Sequence, residues 1–460
     1  MTTLAERLAA FAHGLSFDDL PRNVVHEVKR RVIDSIGCAI GAFDSEPCRI
    51  ARTVARLVTS RYPATLIGTA HASAPDLAAF ANGTMIRYLD YNDTYLSKEP
   101  AHPSDNIAAA LAVAEAEGAG GKALIASIVV GYEIQCRLCD AAALRTRGWD
   151  HVTYGPLSTA LVAAKLMGLP QASMVHALGL AGVPNIALRQ TRVGDLSMWK
   201  GCAFANAARN GVFAAWLAKQ GMTGPAPLFE GEKGFFRQVT GPFDLPPLAE
   251  KGRPFKIMDT YIKFYPAEYH AQSAIEAALL LRPNFALKDI RTIAVKTFDV
   301  AVEIIGKDPE KWRPRNRETA DHSLPYLVAV ALMDGRVGLD QFTEARIADR
   351  RLQALIQKVA VTADPAFDRA YPEAMPNQVQ VKTVDGRSHA LKVTYPKGHP
   401  KRPLTDSELE AKFSSLAEPR LSKKQIRRLL DRLWKLDALE KMDDLLSLCI
   451  VPGKRKGRPT

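Results

Sequence analysis

No stretch of the 460 residues approaches the roughly 18 consecutive apolar positions that a membrane-spanning helix requires. The N-terminal MTTLAERLAAFAHGL sets Glu6 and Arg7 inside an amphipathic pattern, whereas a secretion leader places its basic residues ahead of an unbroken apolar core. A cytoplasmic protein is the expectation, with no membrane partner. Cysteine is scarce, six in all, and only Cys136 and Cys139 form a CxxC, in a segment of helical period. No second pair and no nearby histidines accompany it, so no metal site is expected, and two thiolates are too few for an iron–sulfur cluster. These cysteines read as small buried residues on one helix face. GxGxxG, Walker and HExxH patterns are missing, which removes any motif basis for nucleotide or zinc chemistry. Internal repeats are missing too. The formal net charge of +12 and pI near 9.3 owe much to PRLSKKQIRRLLDRLWK and GKRKGRPT near the C-terminus. No nucleic-acid motif and no interleaved aromatic residues go with that charge, so nucleic acid is not an expected partner. Residues 453–460 read as a basic, disordered tail.

What the sequence does contain is ordinary globular material, 47% hydrophobic and 24% charged, long enough for two or three domains. Up to about residue 262 nearly everything reads as helix. In NVVHEVKRRVIDSIGCAIGAF, Val24, Val28, Val32, Ile36 and Ile40 recur every four residues and mark a core-facing stripe. Further helices are predicted at 121–144, 156–167, 170–182 and 202–220, with ATLIGT as the one early strand-like interruption. Beyond Lys263 the period changes. IRTIAVKTF alternates Ile293, Val295 and Thr297 as a half-buried strand would, KVAVTAD is a second strand, and NQVQVKTVDGRSHALKVTYP outlines a hairpin turning at Asp385-Gly386. Asp-Gly fits a tight two-residue turn needing positive φ angles. Two helical stretches, HAQSAIEAALLL and HSLPYLVAVALMDG, lie between these strands. Helix returns after LTDSELEAKF and is expected to pack back on the first domain. The fold class is therefore mainly α: a large, discontinuous all-helical domain over 1–262 and 404–452, plus a smaller α+β domain over 263–403.

Against this background RYLDYNDTYLSKEPAHPSDN, Arg87 to Asn106, gathers Asp90, Asn92, Asp93, Thr94, His102, Ser104 and Asp105. It falls between two predicted helices, the first begun by Ser73 as cap and Pro75 in the first turn. The cluster can be a capped and solvated loop, with Asp105 capping the helix that follows, or the wall of a site. Two tyrosines alternating with acids, Tyr91 and Tyr95, exceed what capping needs. Three other polar islands stand at or near helix starts: GWDHVTYGPLS with His151, SMWKGCAFANAARNG with Lys200, and YIKFYPAEYHAQSAIEAA with Lys263, Glu268 and His270. Orphan N–H groups and the macrodipole favour anions at helix starts, and lysine and histidine add positive charge. Together the islands suggest a cleft between the helical and α+β domains that binds an acidic small molecule, with Asp and His as proton carriers.

The stretches IRYLDYNDTYLSKEPAHPSDN, IKFYPAEYHAQSAIEAA, DHSLPYLVAVALMDGRV and TYPKGHPKRPLTDSELEAKF, in that order, closely resemble the MmgE/PrpD family across nearly the whole chain. The resemblance implies a helical domain with a smaller α+β lid, usually a homodimer, and cofactor-independent chemistry on di- and tricarboxylates. Matched position by position, it implies a site containing Asp90, Thr94, His102, His151, Lys200 and Lys263, with Tyr326 on a motif facing it. Family members include dehydratases, a decarboxylase and an epimerase. Where the decarboxylase members carry a histidine after the YPA-like segment, this chain has Glu268, followed by His270, a pattern that leans toward dehydration.

The expected reaction is loss of water from 2-methylcitrate or a close hydroxy-tricarboxylate, giving an alkene. Such an elimination needs a base, an acid and cations for carboxylates whose charge grows in the transition state. His102 is the first candidate for proton transfer, tuned by Asp90, with His151 second. Lys200 and Lys263 are the carboxylate clamps, and Asp93, Thr94, Ser104, Glu268, His270 and Tyr326 the further substrate contacts. Epimerisation or decarboxylation of a related acid, or a non-catalytic anion-binding role, are the alternatives.

Overall fold

A computed structural model describes residues 2–249 and 254–452. The basic tail 453–460 lies outside the described residues. The fold is mainly helical, 57% helix, with a small mixed sheet in the C-terminal region. The chain divides into two compact units, the first comprising Met1–Gln190, Gly201–Thr260 and Thr405–Thr460, the second Thr191–Lys200 and Tyr261–Leu404. Among the described residues no helix is long and apolar enough to cross a membrane.

The first unit is built on the helix Arg22–Gly41, whose Val24, Val28, Val32, Ile36 and Ile40 are all buried, as their four-residue recurrence requires. The late helix Asp406–Ala417 packs along it. Two glycines permit that approach: a Cβ on Gly37 would stand 3.0 Å from Phe413, and one on Gly41 2.8 Å from Leu416. Helices Pro75–Tyr88, Asn106–Ala116, Gly121–Ala141 and Gly155–Leu166 form the rest of the core around the Arg87–Asn106 loop.

Several local expectations need correction. Ser73 does not cap the helix that follows. Ala74 occupies the cap position, and the Ser73 hydroxyl donates to the Ala55 carbonyl at 2.6 Å from a two-residue ladder, Ala64–Thr65 with Ala72–Ser73. Asp105 stands at the cap position of Asn106–Ala116 without a capping bond. The broad helical reading up to about residue 262 also gives way after Lys219, where the described residues of that stretch form only short 3₁₀ and π turns. The prolines and glycines at 224, 225, 227, 231, 234, 241, 242, 246 and 247 explain it, since they remove donors and permit turns.

The second unit holds a four-stranded sheet in the order Val359–Ala363, Ile290–Thr297, Asn377–Thr383, Ser388–Val393; the first pair is parallel and the others antiparallel. Ile293, Val295, Thr297, Val379, Val381 and Thr383 are buried on one face, with the helices Gln272–Leu281 and Leu324–Asp334 belonging to the same core. The hairpin loop has three residues, not two. Thr383 N–H donates to Arg387 O at 2.9 Å across Val384-Asp385-Gly386, and only Gly386 takes positive φ, +87°. A type I turn completed by one left-handed glycine satisfies the strand twist without forcing Asp385 into a strained conformation.

Candidate active site

The helix Pro75–Tyr88 runs into Asp90, the one non-glycine residue with positive φ (+51°) among those described. Asp tolerates the left-handed region better than most residues, at a cost on the order of 1 kcal/mol. Its amide donates to Arg87 O at 3.0 Å, so the chain doubles back and the Asp90 carboxylate pairs with the Arg87 guanidinium, both buried. The other guanidinium arm of Arg87 lies 2.9 Å from His102 Nε2. Arginine has no acceptor, so Nε2 must accept and the His102 proton sits on Nδ1. Nδ1 in turn lies 2.7 Å from Asp93 O, with Thr94 Oγ1 at 3.2 Å. Neighbours on both sides thus fix one tautomer.

The remaining polar residues of the loop hold it in place. Asp93 Oδ1 accepts from Ser104 N–H at 3.0 Å and Oδ2 from the Tyr132 hydroxyl at 2.6 Å. Burial pushes the Asp93 carboxyl up, against the pull of Arg31 and these hydrogen bonds. Asn92 Nδ2 donates to both Ser104 Oγ and Asp105 Oδ1 at 2.9 Å. The tyrosines are anchors as well. Lys412, paired with Asp34 at 2.6 Å, donates to Tyr91 O at 2.7 Å and sits 3.8 Å above the Tyr91 ring. The Tyr95 hydroxyl donates to Asp140 at 2.6 Å. Asp93 and Ser104, expected to contact substrate, therefore have these atoms engaged in shaping the loop.

Near the loop, Asp150 caps the short helix His151–Tyr154 and its Oδ1 lies 2.9 Å from His151 Nδ1. That bond puts the His151 proton on Nδ1 and the lone pair on Nε2. The His102 and His151 rings meet edge to face, centroids 5.8 Å apart. In one unit the fold gathers Asp90, Asp93, Thr94, His102, Ser104 and His151.

The second unit gathers the lysines. Lys200, at the head of the helix Trp199–Lys219, pairs with Asp321 at 3.1 Å, both buried. Asp321 Oδ1 also lies 2.7 Å from His322 Nδ1. Glu268 binds His270 twice, through the backbone N–H at 2.8 Å and Nδ1 at 2.6 Å, and its own N–H donates to Asp321 O at 2.9 Å. Burial pushes the Glu268 carboxyl up, but His270, His322 and Lys263 outweigh it and hold the group below its usual range. Lys263 is buried in the same unit. Tyr326 is buried too, and its hydroxyl donates to the Gln341 carbonyl, which fixes its ring beside Phe342. Cys136 and Cys139 lie buried on the helix Gly121–Ala141, and burial pushes both thiols well up, away from the thiolate that a metal or nucleophilic role would need.

Residues 6–248 match the model of the MmgE/PrpD N-terminal domain and residues 265–436 that of the MmgE/PrpD C-terminal domain. The chain belongs to the MmgE/PrpD family. It is 30% identical to a 2-methylcitrate dehydratase of Salmonella typhimurium, over 91% of this chain and 92% of that one. A mitochondrial 2-methylcitrate dehydratase of Yarrowia lipolytica is 28% identical over 87% of this chain and 80% of its own. A fungal alkylcitrate dehydratase is 28% identical over 98% and 94%.

Four residues absent from the sequence reading pair with the candidates or their partners: Arg87 and Asp150 in the first unit, Asp321 and His322 in the second. The signal for three of them was present. The dipeptide Asp-His occurs in both GWDHV and ADHSLPY, and in each the carboxylate reaches the Nδ1 of the histidine beside it.

Proposed function

We propose that the protein dehydrates 2-methylcitrate or a closely related hydroxy-tricarboxylate to an alkene, without a cofactor. The observation that carries the reading is the buried Asp150–His151 pair set edge-on to His102. The names of the relatives and the burial of Lys200 and Lys263 support it. The step removes a proton from a carbon next to a carboxylate and expels hydroxide from the adjacent carbon. His151 takes the proton at Nε2. Asp150 at Nδ1 stabilises the imidazolium that forms, the logic by which a buried carboxylate assists a histidine base. The hydroxide leaves as water with one proton, so no net proton is consumed.

His102 is the weaker base of the two, which reverses the order expected from sequence. Protonating its Nε2 would turn an N–H toward the Arg87 guanidinium that now donates to that nitrogen. Held this way, His102 lines the site, with Asp90 and Arg87 fixing its ring and Thr94 beside it. Lys200 and Lys263 bind substrate carboxylates, where their charge opposes the negative charge that accumulates as the proton leaves. Glu268 and His270 set the electrostatics around those lysines, while the Tyr326 hydroxyl is engaged by the Gln341 carbonyl.

A panel of 2-methylcitrate, citrate and the hydroxyl-free propane-1,2,3-tricarboxylate tests the reading. Alkene absorbance should rise with a hydroxy-tricarboxylate and not with the hydroxyl-free acid. Racemisation or CO₂ release without alkene would overturn it.

A further inference from the structure

We infer that Lys311 is a third carboxylate-binding lysine of the substrate site, engaging an anionic group of the polycarboxylic acid beside Lys200, an inference that rests on the dehydration reading above. Lys311 lies on the short helix Pro309–Trp312 and is only 4% exposed. Among the described residues its ammonium has neither a hydrogen-bond nor an ion-pair partner. The other buried lysines differ: Lys200 pairs with Asp321, and Lys412 with Asp34. A lysine this buried whose ammonium lacks a direct protein partner gains from an anion that reaches it.

The backbone places Lys311 beside the known cluster. Its carbonyl accepts from the Ser323 hydroxyl, which also caps the helix Leu324–Asp334 by accepting from Tyr326 N–H at 3.1 Å. Asp321, the partner of Lys200, stands two residues before Ser323. Trp312 Nε1 donates to Val359 O at 2.9 Å and secures the far end of the short helix. The charged groups around the Lys311 ammonium are Asp308, Asp321, Lys200 and Glu268. Burial pushes the ammonium toward its neutral form and Lys200 adds to this, with the three carboxylates opposing. Both nearby acids of the cluster are already shared: Asp321 with Lys200 and His322, Glu268 with His270. Asp308, Asp321 and Glu268 thus match Lys200, Lys263 and Lys311 in number, and a ligand carboxylate at Lys311 would supply the direct partner that none of the three acids gives it. A lysine that merely packs its stem and reaches toward water would show none of this dependence on ligand.

The test is calorimetric titration of the full chain with propane-1,2,3-tricarboxylate, alongside turnover of 2-methylcitrate, in the wild type, Lys311→Met and Lys311→Arg. Lys311→Met keeps the stem and removes the charge; it should weaken binding about 10–100-fold, the range for a hydrogen bond to a charged group, with melting temperature unchanged or raised. Lys311→Arg keeps a charge that no accessible pH removes. It should bind within a few-fold of wild type, and the loss of affinity at alkaline pH should move to higher pH. Wild-type affinity in Lys311→Met, or no alkaline displacement in Lys311→Arg, overturns the inference. If Lys311→Met does not fold, the displacement in Lys311→Arg decides alone. A wild type that binds no tricarboxylate overturns it as well. Weakened binding in Lys311→Met with no dehydration by the wild type upholds Lys311 and overturns the dehydration reading. Normal binding in Lys311→Met with an active wild type does the reverse.

Discussion

His151 Nδ1 lies 2.9 Å from Oδ1 of Asp150, its neighbour in sequence, and neither side chain is open to solvent. The carboxylate is placed to stabilise a proton taken up by His151, whereas the Nε2 of His102 faces the Arg87 guanidinium. Replacing Asp150 with Asn should keep the shape and lose the charge that favours the imidazolium. Asp150→Asn and His151→Asn should each lower kcat by about 10²–10⁴-fold, with little change in KM. Steady-state kinetics on both variants checks this; a KM effect larger than the kcat effect would mean that His151 only binds.

Arg87 holds Asp90 and His102 at once, the first a buried carboxylate and the second a half-buried ring. Removing the guanidinium leaves the Asp90 carboxylate buried without its main counter-charge. Arg87→Met should cost about 3–5 kcal/mol in urea unfolding. Adding Asp90→Asn removes the stranded charge, so the double variant should recover part of that loss. Strict additivity of the two single effects would show that the pair is not coupled in the folded state.

The motif KGHPKR acts on the site through Gly398. Its φ is +90°, and a Cβ there would stand 1.8 Å from Ile262 O, one residue before Lys263. Ile262 N–H donates to Gly398 O at 3.1 Å, so the two segments are tied. Gly398→Ala should destabilise by more than about 1 kcal/mol and raise KM by displacing Lys263. Unchanged unfolding and kinetics would separate this turn from the site.

The stability of the second unit should depend on acid through His399, held between Tyr261 and Tyr395. Burial, and then the charge of Lys401, push its imidazole down to about 4 from the ordinary 6.5. The folded chain refuses a proton that the unfolded chain accepts. Its contribution is therefore complete above the ordinary value and is lost as pH falls toward about 4. Urea midpoints across this window should fall less steeply in His399→Gln than in the wild type. Parallel slopes would remove His399 from the acid response.

What could be read from sequence follows from which signals are local. Buried stripes such as Val24 to Ile40 and the alternation of Ile293, Val295 and Thr297 are set by period, and both took their expected forms. The long irregular run after Lys219 is legible in its prolines and glycines, which outweigh the helical character of the segments before it. The polar loop was found because so many polar residues crowd one segment. Their separate duties were not legible, since they depend on partners far along the chain: Tyr132 and Arg31 for Asp93, Lys412 for Tyr91. Arg87 was hidden in the last turn of a helix, where a basic residue ordinarily serves the macrodipole. Lys311 had no motif of its own; only its burial and its tie to Ser323 distinguish it from a surface lysine.

The most direct measurement follows 2-methylcitrate by NMR with purified wild-type protein and His151→Asn, each with a metal chelator and no added cofactor. The expected result is stoichiometric alkene with the wild type and almost none with His151→Asn, at similar substrate affinity. Alkene formed equally by both proteins would contradict the role of His151. Wild-type activity lost to the chelator and restored by a metal ion would contradict the cofactor-free reaction.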